Sequence, residues 1–162
     1  MIAITRRYRF SASHRLHSGE LSDAQNARLY GKCNNPFGHG HNYVLEVAVG
    51  GPVDAVSGQV VPVSKLDRLV EEKVLNLFAS RNLNLDLPQF RELVPTSENI
   101  ASIIARLIAA NWNSYIGDPD VRFERVHLQE TARNGFEILI ADLRLKPVNH
   151  SRIESVLVHA QS

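Results

Sequence analysis

Residues 2 to 14 and 42 to 50 alternate apolar and polar side chains with a period of two, and this pattern constrains the fold more than anything else in the chain. In the first stretch Ile2, Ile4, Tyr8, Phe10, Ala12 and His14 fall on one face, with Arg7, Arg9, Ser11 and Ser13 on the other. In the second, Tyr43, Leu45, Val47 and Val49 share a face. Successive side chains of an extended chain point to opposite sides, so each stretch predicts a strand with one buried face. The two are expected to pair.

Downstream the period changes. Ser64 and Asp67 form an S-x-x-D start, and Leu66, Leu69, Val70, Val74, Leu77 and Phe78 trace a 3.6-residue stripe. A second helix follows Pro95, with Thr96 or Ser97 as cap and Ile100, Ile103, Ile104, Leu107, Ile108 and Trp112 at helical spacing. Two further strands, 121 to 130 and 135 to 145, are joined by a turn containing Asn134 and Gly135. The order β-β-α-α-β-β predicts an α+β fold, a four-stranded antiparallel sheet with two helices on one face. A length of 162 residues fits one domain spanning 1 to 162. The last dozen residues, SRIESVLVHAQS, read as a helix or tail without a place in this scheme.

Charge and hydropathy exclude several classes. Formal net charge is +1 with no basic block, which argues against nucleic acid as a partner. No apolar run approaches the roughly 20 residues needed to span a bilayer, so no membrane role is expected. MIAITRRYRF lacks a signal-type apolar core, and a lone Cys33 forms no internal disulfide. A cytoplasmic setting is the expectation.

The polar segment between the first two strands carries the chemistry. In YGKCNNPFGHGHNY, residues 30 to 43, His39 and His41 are separated by Gly40 and directly precede a strand, so in extended chain both imidazoles face one point. His14 ends the first strand on its inward face. If the strands pair, three imidazoles converge, a donor set that suits zinc and leaves a fourth position open. Cys33 has two readings on spacing alone: the fourth ligand of a closed structural site, or a free thiol acting beside the metal as base or nucleophile.

FSASHRL, YGKCNNPFGHGHNY, RNLNLD, PTSENIA and LQET, in this order, resemble the 6-pyruvoyl-tetrahydropterin synthase and 6-carboxytetrahydropterin synthase family over residues 5 to 140. The resemblance implies zinc on His14, His39 and His41 and a catalytic Cys33. It implies a pterin pocket formed with Thr96, Ser97 and Glu98, and Glu130 gripping the guanidine-like edge of the pterin by paired hydrogen bonds. It also implies a tunnelling fold whose sheets join into a barrel in a trimer, commonly paired into hexamers, with active sites between subunits. The implied activity is a lyase acting on 7,8-dihydroneopterin triphosphate. Its product is 6-pyruvoyl-tetrahydropterin or 6-carboxy-5,6,7,8-tetrahydropterin, in tetrahydrobiopterin or queuosine biosynthesis. The family usually carries an Asp-His pair just before the RNLNLD-like segment; here Ala79 and Ser80 stand in those positions. A pterin-binding relative with lost or altered catalysis is therefore the alternative.

Overall fold

The computed structural model describes residues 2 to 143. The expected tail at 151 to 162 lies outside the described residues. Strand β1 (Ile2–His14) pairs antiparallel with β2 (His39–Gly51) along the full length of both, from Ile2 opposite Gly51 to His14 opposite His39. The predicted start of β2 at residue 42 moves back to 39, which brings both histidines of the His-x-His pair into the strand. Strand β3 (Arg81–Asn82) adds a short parallel edge to β1, while β4 (Arg122–Gln129) and β5 (Gly135–Leu139) extend the sheet antiparallel from β2. The sheet order is β3-β1-β2-β4-β5. The four antiparallel strands are those the alternation predicts, and the two-residue β3 is an addition.

Helical segments lie on both sides of β2 before the chain reaches β3. Helix α1 (Asp23–Tyr30) lies in the segment read above only as polar. Its capping box, Ser22 with Gln25, is visible in the sequence, but its apolar stripe is too weak to announce a helix. Helix α2 (Val63–Val70) continues through a π-helical turn, Glu71–Leu75, into α3 (Asn76–Phe78). Leu66, Leu69, Val70, Val74 and Phe78 are all fully buried, as the stripe requires. Ser64 does not cap this helix, which starts at Val63 after Pro62. Asp67 turns instead to β1, where the Arg6 guanidinium donates to it twice (3.1 and 2.7 Å) and Tyr8 donates at 2.8 Å. A bidentate charged pair is a stronger demand on a carboxylate than a cap.

After α4 (Leu83–Asp86), helix α5 (Ser97–Tyr115) crosses the same face of the sheet. Thr96 is its N-cap, accepting from the Asn99 amide, and Ile100, Ile104, Leu107, Ile108 and Trp112 point into the core. The final strand is shorter than the predicted 135 to 145: it ends at Leu139, and the chain turns into α6 (Ile140–Leu143). Ile140 and Leu143 pack against the core at helical spacing, which an extended edge strand would not allow. One contiguous core lies between the helices and the inner sheet face. Among the described residues nothing covers the outer face, which carries ion pairs, Arg7 with Glu46 (2.6 Å) and Arg125 with Glu137 (2.7 Å).

Ile104 is fully buried. Replacing it with alanine is expected to cost about 2 to 5 kcal/mol in chemical denaturation, by lost transfer energy plus the cavity left. Val56→Ala, at 96% exposure, should stay within about 0.5 kcal/mol of wild type.

Candidate functional site

The site is built where β1 and β2 end together. Their register sets His14 opposite His39, and His41 lies two residues along on the same face of β2. Gly38 makes the approach possible: its φ is +68°, and a Cβ there would stand 2.8 Å from the His14 carbonyl oxygen. Backbone cannot yield to that contact, so only glycine fits.

The three imidazoles close on one another, with ring centroids 4.9 Å (14–39), 5.1 Å (14–41) and 4.6 Å (39–41) apart. One ligating nitrogen from each lies within 4.8 Å of the others. All three Nε2 atoms are buried without a hydrogen-bond partner among the described residues. Nδ1–H of His14 donates to the Pro95 carbonyl at 2.8 Å, which leaves its Nε2 lone pair facing the group. Burial holds His14 below its ordinary pKa of 6.5, reinforced by the neighbouring His39 and His41; burial and His41 do the same for His39. Neutral imidazoles with orphaned lone pairs converging on one point fit a zinc-type metal ion.

Around this point stand groups that can handle protons. Glu130, just past the end of β4, places Oε1 3.6 Å from His41 Nε2 and 3.8 Å from His14 Nε2. It accepts a hydrogen bond from Ser97 Oγ (2.8 Å) at the start of α5. Cys33 sits half-buried on a 3₁₀ turn, Gly31–Asn34, and is not part of the tight nitrogen group. Burial and the Glu130 carboxylate raise its thiol pKa. Tyr43, the next inward residue of β2 after His41, is buried with its hydroxyl unpaired among the described residues.

The Cys33 turn is laced to the end of β1. Leu16 N–H donates to the Cys33 carbonyl (2.8 Å), Asn34 Nδ2 to the Leu16 carbonyl (2.7 Å), and Arg15 Nε to the Asn34 carbonyl (3.1 Å). Asn84 on α4 clamps both backbone groups of Arg15. Sequence reasoning missed Asn34, Asn84 and Tyr43, because an asparagine among turn residues and a tyrosine in a strand look ordinary until their partners are known.

The remaining predicted residues divide. Thr96 is committed to capping α5 and Glu98 is exposed in its first turn. Ala79 and Ser80 are exposed at the turn after α3, where Ser80 adopts φ +61° and donates its N–H to the Ser11 carbonyl (2.7 Å). Ser80, Arg81, Asn82, Asp86, Ser13 and His41 line an open cleft of about 560 Å³. His127 lies near Glu46 (3.8 Å), across the sheet from the imidazoles.

Comparison with known proteins agrees with this layout. A family model described as 6-pyruvoyl tetrahydropterin synthase matches residues 3 to 139. A 6-pyruvoyl tetrahydrobiopterin synthase of Poecilia reticulata is 50% identical over 101 residues, 62% of this chain and 69% of the relative. The protein of that name in Homo sapiens is 46% identical over 101 residues, 62% of this chain and 70% of the relative. The solved structure of Caenorhabditis elegans 6-pyruvoyl tetrahydropterin synthase superposes with TM-score 0.77 at 40% identity, covering 85% of this chain and 94% of that one.

The lowered histidine pKa values set a direction for pH. As pH falls through 6.5 the unfolded chain takes up protons that buried His14 and His39 resist, so stability is full above about 6.5 and is lost toward their folded pKa values. Urea unfolding of the chelator-treated protein should show lower stability at pH 5.5 than at pH 7.5. The step should shrink in His14→Gln.

Proposed function

The chain belongs to the 6-pyruvoyl tetrahydropterin synthase family, and on that premise we propose that it is a zinc-dependent lyase acting on 7,8-dihydroneopterin triphosphate with release of triphosphate. The observation that carries this reading is the convergence of three orphaned, buried Nε2 atoms beside a carboxylate and a thiol. The names of the relatives favour 6-pyruvoyl-tetrahydropterin as product over 6-carboxy-5,6,7,8-tetrahydropterin.

His14, His39 and His41 would hold the metal. Zinc, when bound there, supplies Lewis-acid stabilisation for negative charge developing on the hydroxyl oxygens of the substrate side chain, and its charge lowers the pKa of a nearby thiol. Cys33 Sγ, in this reading, takes the proton from the hydroxyl-bearing carbon of that side chain and returns a proton as the bond system rearranges. Glu130 Oε1 lies so near the ligating nitrogens that it meets the same side chain, where it serves as second proton acceptor. The guanidine-like edge lies a bicyclic ring away from that side chain. The exposed carboxylate of Glu98, in the Thr96–Ser97–Glu98 segment, is a second candidate for it beside Glu130.

The open outer face and the short β3 and β5 edges suit assembly of copies into a trimeric barrel, with hexamers as the next level. A second reading rests on Ala79 and Ser80: the turn is present, but it carries neither carboxylate nor imidazole. Positioned proton transfer contributes roughly 10²- to 10⁴-fold in rate, and its loss gives a pterin-binding relative with lost or altered catalysis.

Incubating the zinc-loaded protein with 7,8-dihydroneopterin triphosphate and identifying products by mass spectrometry decides between the two. The lyase reading expects tetrahydropterin product, reduced by about 100-fold or more in Cys33→Ala while metal content is unchanged. Intact substrate alongside measurable pterin binding supports the second reading. Turnover equal to wild type in Cys33→Ala removes the thiol from the mechanism.

A further inference from the structure

The open cleft of about 560 Å³ reaches the imidazole group at His41, and its walls are rich in uncommitted donors. Arg81 on β3 is exposed, and its guanidinium makes no hydrogen bond or ion pair among the described residues. Asn42 Oδ1 accepts from Ser11 Oγ at 2.7 Å, which leaves both protons of Asn42 Nδ2 unspent. Ser80 donates its N–H to the Ser11 carbonyl (2.7 Å), while its hydroxyl has no partner among the described residues. The carboxylate in the lining, Asp86, is engaged at Oδ2 by the Asn82 N–H (2.8 Å). A fixed cation with spare N–H and O–H donors around it suits an oxyanion, and the planar fork of arginine matches phosphate in particular.

The donors are mounted on the strands that carry the histidines. Arg81 pairs with Ala12 on β1, two residues before His14, and Asn42 directly follows His41 on β2. Glu130 stands 3.6 Å from His41 Nε2 but is not among the residues that line the cleft. An anion seated between Arg81 and Asn42 therefore adjoins the imidazoles without facing the carboxylate that would repel it.

We propose that the cleft is the subsite for the phosphate chain of the substrate, with the Arg81 guanidinium as its charge partner and Asn42 Nδ2 and Ser80 Oγ as further donors. The phosphates sit at the far end of the side chain whose hydroxyls meet the three imidazoles, so an anion subsite entered past His41 is where that end arrives. Ser80, which brings no acid or base to the site, has a use here as a donor. The inference rests on the lyase reading for the identity of the substrate, whereas the affinity for polyphosphate belongs to the cleft itself.

The test is calorimetric titration of inorganic triphosphate into the full chain at pH 7.5, after chelator treatment so that no metal at the imidazoles binds the phosphate. Wild type is expected to bind, and more weakly as salt is raised. Arg81→Gln, which removes an exposed and unpartnered group, should bind about tenfold more weakly or worse. Arg81→Lys should fall between, because an ammonium keeps the charge and loses the fork. Arg9→Gln, on β1 outside the cleft, should bind like wild type. The phosphate-free 7,8-dihydroneopterin should bind Arg81→Gln as well as it binds wild type. Absence of triphosphate binding in wild type, an unchanged affinity in Arg81→Gln, an equal loss in Arg9→Gln, or a loss of 7,8-dihydroneopterin binding in Arg81→Gln each overturns the proposal. Product formed from 7,8-dihydroneopterin triphosphate with unchanged KM in Arg81→Gln removes the subsite and keeps the lyase reading. Triphosphate binding that depends on Arg81, without product, keeps the subsite and removes the lyase reading.

Discussion

The pairing of β1 with β2 down to its last residue pair is the interaction on which the rest of the site depends. A slip of one residue would turn every side chain of a strand to the other face, sending His14 to solvent and leaving two imidazoles without the third. The register is pinned from below: Phe10 and Ala12 on β1 and Tyr43, Leu45, Val47 and Val49 on β2 are buried on the same face as the histidines. Apolar burial several residues away thereby sets the geometry of a polar cluster. At the top, Gly38 closes against the His14 carbonyl where no side chain fits.

Helix α5 supplies the other wall. Its buried stripe, Ile100, Ile104 and Ile108, anchors it to the core, and the segment just before and at its first turn then reaches the site. Pro95 offers a carbonyl that orients His14, and Ser97 offers a hydroxyl that orients Glu130. The groups nearest the three imidazoles are therefore held by a strand pair and a long helix, both tied into one core. Such rigid mounting suits chemistry that depends on placing a proton acceptor within a fraction of an ångström. The turn at Ala79 and Ser80 is equally well held, by Ser80 N–H to Ser11, yet its side chains bring no acid or base.

Much of this architecture could be read in advance, for identifiable reasons. Period-two and 3.6-residue patterns mark elements that bury one face, and both patterns held for β1, β2, the α2–α3 run and α5. Helix α1 was missed because local capping, rather than an apolar face, marks it. Asp67 reads as a capping-box member until Arg6 and Tyr8 arrive from 61 and 59 residues away. The shift from β5 into α6 follows from what Ile140 and Leu143 pack against, which no local pattern records.

The sequence by itself determined which groups are available: one histidine on an inward-facing strand position and two just ahead of a strand, one cysteine, a glutamate at the end of a predicted strand, and no acid or imidazole at 79 and 80. Strand periodicity is a local property of the backbone, so the direction of each imidazole was already implied. Only the tertiary structure decided that Glu130 comes within 3.8 Å of two of the imidazole nitrogens, that Ser97 restrains it, and that the Tyr43 hydroxyl has no partner among the described residues. Those are contacts between elements far apart in the chain, fixed by how the sheet and α5 pack together, and distance between packed elements is what a linear order of residues does not specify.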